Sequence, residues 1–230
     1  MKKIITGAVF LLLTMPALAG MSLDKIIVYL DDSPNVREDI VVSNPDEETL
    51  YLKTEVYRVD NPGFEDEKRI RVVDPKEFKL LVSPAKAVIG SGESKRFRMM
   101  SLERDLTKEK VYRVTFRPVV GDIESDRTAV KILVAYQALI FVQPQNGKYQ
   151  LEVTRQGDRW SLKNNGNINV EVSNVQYCPD ALNCQKLNVG GRLYAGNTVS
   201  LDVPMQGGEL VLLAQGREAE QIRLPIPVSQ

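Results

Sequence analysis

The sequence predicts an all-β protein built as two β-sandwich domains, and three observations carry that prediction. Short runs alternate apolar and polar residues with period two: Leu50-Tyr51-Leu52-Lys53-Thr54-Glu55-Val56-Tyr57, Tyr112-Arg113-Val114-Thr115-Phe116-Arg117 and Val199-Ser200-Leu201-Asp202-Val203. That alternation is the signature of half-buried strands. Turn signals punctuate the runs at Asn44-Pro45, Asn61-Pro62-Gly63, Gly90-Ser91-Gly92, Asn164-Asn165-Gly166 and Gly207-Gly208. The pattern also breaks at Gln143-Pro144-Gln145-Asn146-Gly147, a hinge-like stretch between two sets of strands.

In chain order, strands are expected near 23–30, 37–43, 50–59, 78–82, 94–100, 110–120 and 128–142. Many short strands separated by turns form a sandwich or barrel, and this set is immunoglobulin-like. Beyond the break, strands are expected near 148–154, 158–163, 168–178, 198–203, 209–214 and 221–228. The last carries Pro225 and Pro227, whose missing N–H groups suit a sheet edge. The expected domains are therefore 20–143 and 144–230.

Residues 1–19 read as a secretory signal peptide: Met1-Lys2-Lys3, an apolar run from Ile4 to Leu13, and Ala17-x-Ala19 as the cleavage site. The run is too short to span a bilayer comfortably, so no membrane insertion is expected. Cleavage removes two lysines and no acid, leaving 28 basic and 30 acidic residues, a net charge of −2. That balance argues against a nucleic-acid partner, which needs a clustered basic face. Cys178 and Cys184 are expected to pair as a disulfide in an exported protein, closing a small loop. The chain has no histidine, which removes the commonest general base and every Ser-His or Cys-His nucleophile. Gly90-Ser91-Gly92-Glu93-Ser94 lacks the spacing of a hydrolase elbow and reads as a turn. Glu65-Asp66-Glu67 reads as a solvated loop, since a cation site needs more converging oxygens. No catalytic residue, cofactor or metal is expected.

The segment Thr128–Val142 is apolar on nearly both faces and longer than the usual ~5–6 residues of a strand. As the seventh strand of an immunoglobulin-like domain it would lie at a sheet edge, exposed to aggregation unless covered. A partner's backbone could cover it by strand addition, with Val130, Ile132 and Val134 filling the partner's pockets. On pattern alone a buried core strand fits better, and Val130, Leu133, Val134, Ala138 and Phe141 also fit an amphipathic helix.

Several stretches carry a resemblance. Leu81-Val82-Ser83-Pro84-Ala85-Lys86-Ala87-Val88-Ile89 followed by Gly92-Glu93-Ser94-Lys95-Arg96-Phe97-Arg98 resembles a Ser-Pro turn, apolar strand, turn and basic strand of the periplasmic pilus (fimbrial) assembly chaperones. Glu109-Lys110-Val111-Tyr112-Arg113-Val114 is similar to a further strand of that family. Its Tyr-Arg form resembles the alternate branch serving colonisation-factor-type fimbriae. Asn165-Gly166-Asn167, with Tyr177-Cys178 and Cys184, resembles that branch's second domain. The order and spacing of these motifs span essentially the whole mature chain.

The resemblance implies a boomerang of two immunoglobulin-like domains in the periplasm. The seventh strand would complement a fimbrial (pilin) subunit lacking its own last strand, and an outer-membrane usher would receive that subunit. The donated positions fall on Val130, Ile132 and Val134. The better-known branch binds the subunit's terminal carboxylate with an Arg on the first strand and a Lys on the seventh; here those positions are Ile27 and Leu139. Arg113, with Arg117, is the candidate replacement, since both project from one face of the strand beside the donor; the alternative is two exposed surface arginines. An apolar edge also invites self-capping by a second copy of the chain. The competing class is an exported structural or adhesive β-sandwich of a fimbrial system.

Overall fold

The computed structural model describes residues 20–119, 133–180 and 182–227. The first part forms β1 (Ser22–Leu23), β2 (Ile27–Asp31), β3 (Arg37–Ser43), β4 (Leu50–Asp60), β5 (Lys68–Arg71), β6 (Leu80–Ser83), β7 (Lys86–Ile89), β8 (Ser94–Ser101), β9 (Lys110–Pro118) and β10 (Tyr136–Gln143). One sheet runs β1-β3-β8-β6; the other runs β2-β10-β9-β4-β5, with β7 also paired to β4. Alternation assigns the faces. On β9, Tyr112, Val114 and Phe116 join the buried core between the sheets, while Arg113, Thr115 and Arg117 point away from it. Phe97 from the opposite sheet meets Phe116 edge-to-face, ring centroids 5.2 Å apart.

Three expectations need correction. The strand expected near 23–30 is two strands. Asp24 binds Val41 of β3 through both backbone (3.1 Å) and carboxylate (2.8 Å), whereas Ile26 C=O accepts from Leu139 N–H at 2.8 Å. The chain thus changes sheets over three residues. β5 was not expected, and β7 was missing from the strands read from alternation although the resemblance implied an apolar strand after Ser83-Pro84; both are short and pair with β4, which is long enough to take β7 at Leu50–Lys53 and β5 at Tyr57–Asp60. Finally, the seventh-strand segment is not an edge throughout. β2 runs parallel to β10 from Leu139↔Ile27 to Gln143↔Asp31, so that stretch is interior, antiparallel to β9 on its other side.

The second part forms β11 (Leu151–Gln156), β12 (Arg159–Asn164), β13 (Val170–Cys178), β14 (Gln185–Lys186), β15 (Gly191–Leu193), β16 (Thr198–Leu201), β17 (Glu209–Gln215) and β18 (Ala219–Pro225). Its sheets run β11-β12-β16 and β14-β13-β17-β18, with β15 also on β13, around a core that includes Trp160, Leu162, Val172, Leu210 and Leu212. β18 lies at an edge and ends at Pro225, which cannot donate to a further ladder. The Cys178–Cys184 disulfide ties the end of β13 to the stretch before β14.

The two sandwiches share a small apolar cluster in which Tyr194 of the second packs with Val59, Val111 and Phe141 of the first. Polar residues complete the junction. Glu109, buried, accepts from Asn169 N–H (3.2 Å), Asn169 Nδ2 (2.5 Å) and Gln143 Nε2 (3.0 Å). Arg217 Nε donates to Gln143 Oε1 (3.0 Å) and its Nη2 to Leu30 O (3.1 Å). Arg192 lies over the Phe141 ring, 4.9 Å from its centroid, and pairs with Glu171 at 2.6 Å. Burial pushes the Glu109 carboxyl above the ordinary glutamate range, and the bonds from Gln143 and Asn169 do not offset it.

A raised acid pKa stabilises the fold fully below the unfolded value, and that contribution is lost as pH rises through the folded value. Glu109→Ala strands up to three buried donors and is expected to cost about 2 kcal/mol, more in the ordinary carboxylate range than at neutral pH. Chemical denaturation of both proteins at the two pH values checks this; an equal loss at each would contradict the assignment.

Candidate partner-binding cleft

The outward face of the first domain's larger sheet leads from its far end into the junction. β4 contributes Tyr51, Lys53, Glu55, Tyr57 and Val59, because Leu50, Leu52 and Val56 of the same strand pack on the core. β9 contributes Val111, Arg113, Thr115, Arg117 and Val119 opposite them. β10 contributes Gln137, Leu139 and Phe141, since Tyr136, Ala138, Ile140 and Val142 face the core. Val59, Val111 and Phe141, nearest the second domain, are covered by Tyr194.

The sheet change at Asp24–Ile26 determines how much of β10 is covered. Leu139 N–H points to Ile26, so by strand alternation the N–H and C=O of Gln137 point to the same side. There, among the described residues, no strand pairs with β10 upstream of Leu139. β10 is closed at its junction end and open at its start, leaving a short template for strand addition. Just before it, Leu133 and Val134 are exposed, Val134 at 56 %, and border a recess with Tyr51, Pro118 and Val119. Val134 falls in the same alternation as Tyr136 and Ala138. Val130 and Ile132 lie outside the described residues.

Ile27 and Leu139 are direct neighbours across β2 and β10 and pack on the junction cluster. Neither can bind an anion. The nearest cation in register is Arg113, opposite Leu139 on one side and Tyr57 on the other. Its Nη1 donates to Gln137 Oε1 at 2.9 Å, and Gln137 Nε2 donates in turn to Thr115 Oγ1 at 2.9 Å. Its Nε is a buried donor with no hydrogen-bond partner among the described residues. Arg117, four residues along β9 on the same face, is more exposed and approaches Glu55 at 4.0 Å.

Two features escaped the sequence reading. Glu55 is a polar position of an alternating, half-buried run, yet its side chain is 3 % exposed and lies among Lys53, Arg71 and Arg117. Burial pushes its carboxyl up, but bonds from Lys53 and Tyr57 and the charges of Arg117 and Arg71 outweigh this and hold it below the ordinary glutamate range. The Glu109 junction joins residues far apart in sequence and has no periodic signature. Elsewhere, Glu67 serves its own loop, accepting from Gly63 N–H at 2.9 Å and pairing with Arg69 at 3.0 Å. No described helix is long and apolar enough to cross a membrane.

No family model matches the chain. Over 182 residues it is 27 % identical to a CS1 fimbrial subunit of Escherichia coli, covering 74 % of this chain and 76 % of that one. It is similar to the solved structure of the class 5 fimbriae chaperone CfaA: TM-score 0.73, 24 % identity, 90 % of this chain and 100 % of that one. It is also similar to a chain from a chaperone–tip adhesin complex of CFA/I fimbriae biogenesis: TM-score 0.71, 22 % identity, 92 % of this chain and 100 % of that one. A chain from the Salmonella enterica complex of SafA pilin with the SafB chaperone matches at TM-score 0.64 and 13 % identity, over 92 % of this chain and 99 % of that one. The protein has the fold of the fimbrial chaperones, two immunoglobulin-like β-sandwiches.

Proposed function

We propose that the protein is a non-enzymatic periplasmic chaperone that caps fimbrial subunits by donating the strand around Val130, Ile132 and Val134 and hands them to an outer-membrane usher. The observation that carries this reading is the half-open β10, closed by β2 only from Leu139 onward and preceded by exposed Leu133 and Val134. A fimbrial subunit without its last strand exposes an apolar groove between two unpaired edges. An added strand satisfies those edges by backbone hydrogen bonds while alternate side chains fill the groove. Apolar burial contributes on the order of 25 cal/mol per Å² before ordering and association costs. Arg113, with Arg117 beyond it, would supply the charged donors for a terminal carboxylate of the subunit, a reading supported by the hydrogen bond that holds Arg113 to Gln137. The fold shared with fimbrial chaperones, one seen with a pilin and one with a tip adhesin, supports the reading.

Co-expression with fimbrial subunits from the same genome tests it: a stable periplasmic one-to-one complex is expected. The name of the CS1 relative favours a second reading, in which the chain is itself a fimbrial structural component. That reading predicts the chain inside assembled fibres and no one-to-one complex.

A further inference from the structure

Between the apolar far end of the open face, marked by exposed Tyr51, Val88 and Val119, and the covered junction lies a band of cations. Lys86 is opposite Lys53, Lys53 opposite Arg117, and both Arg71 and Arg113 opposite Tyr57. Among the described residues, one carboxylate sits beside Lys53, Arg71 and Arg117, while Arg113 feels the charge of Glu67. Glu55 receives Lys53 Nζ at 3.1 Å, Arg71 Nη2 at 3.2 Å, Arg117 Nε at 4.0 Å and the Tyr57 hydroxyl at 3.1 Å. Its side chain is 3 % exposed, whereas those of the three cations are 34 %, 51 % and 54 % exposed. The anion is buried beneath cations that still reach solvent. Among the described residues, this single carboxylate neutralises only one of the three charges, so the group carries a surplus of positive charge toward solvent. It also holds three long side chains in place, and ordering such chains on binding otherwise costs about 0.5–1.5 kcal/mol each.

We infer that the outward face of the β4–β9 pair is a preorganised cationic dock for acidic side chains of the subunit held along β10, with Glu55 as its positioning residue. The inference rests on the chaperone reading. The dock adjoins the open stretch of β10, because Gln137 is opposite Thr115 and Thr115 is opposite Glu55. Charge complementarity selects acidic segments, and rows this close to the donor strand act on whatever that strand captures.

The probe is the fimbrial protein that co-purifies with the wild-type chain, its affinity measured at low and high salt. Wild type is expected to lose about tenfold in affinity with added salt. Arg117→Gln and Lys53→Gln should each weaken low-salt binding about threefold or more and reduce the salt dependence. Glu55→Gln should also weaken binding several-fold, but with its salt dependence retained, because the face becomes more positive while losing its order. A Glu55 that serves only the fold would lower the melting temperature and leave the affinity of the folded protein unchanged. Binding insensitive to salt and to Arg117→Gln overturns the dock and leaves the chaperone reading standing. If wild type forms no complex, both fall.

Discussion

Val134→Asp is expected to abolish subunit capping while leaving the chaperone folded. Val134 is 56 % exposed and precedes β10, so its replacement removes little packing from the first core, and stability should change by no more than about 0.5 kcal/mol. In a complex the same side chain enters an apolar groove. Burying valine there contributes about 1.5–3 kcal/mol, whereas an unpaired carboxylate costs several kcal/mol. The difference corresponds to a loss of at least about a thousandfold, no complex at working concentrations. Ile132→Asp should behave the same way if the two positions are donated in alternation. Circular dichroism and thermal melts report the fold, and co-purification reports capping. A folded Val134→Asp protein that still co-purifies with its subunit would place the donated strand elsewhere. An unfolded Ile132→Asp protein would restore the core-strand reading for that residue.

Arg113→Glu should weaken the complex about a hundredfold or more. Removing one partner of a desolvated charge pair costs about 2–5 kcal/mol, and reversal adds repulsion. The guanidinium is held by Gln137 on one side, with Nε buried and unpartnered among the described residues, so a subunit carboxylate would meet a donor already in place. Arg117→Glu is expected to act less strongly, because Arg117 is more exposed and lies near Glu55. A subunit shortened at its carboxyl terminus should bind wild type and Arg113→Glu with similar affinity. Equal effects of Arg113→Glu on the intact and shortened subunits would remove the terminal carboxylate as its ligand.

The strands that form the cores were legible because each buries one face: Leu50, Leu52 and Val56 inward against Lys53, Glu55 and Tyr57 outward is the alternation the sequence displays. β5, with Lys68-Arg69-Ile70-Arg71, was not legible because it has one apolar residue and is ordered by pairing with β4. The partial cover on β10 was not legible either. It depends on a change of sheet at Asp24–Ile26 that a local pattern cannot reveal, and it limits the donor edge that the sequence suggested. Arg113 and Arg117 could be placed on one strand face from their spacing. Their surroundings could not: the burial of Glu55 depends on Arg71, brought in by the unforeseen β5. Glu109 likewise meets Asn169 and Gln143 only when the two sandwiches come together.

Strand donation along β10 is tested most directly by backbone amide hydrogen exchange over residues 128–138, free and in the subunit complex. A donated strand predicts slowing of about tenfold or more at Gln137, whose N–H faces the open side, and at alternate residues upstream of it, with the β18 edge unchanged. Unchanged exchange throughout that stretch in a stable complex would contradict capping by this strand.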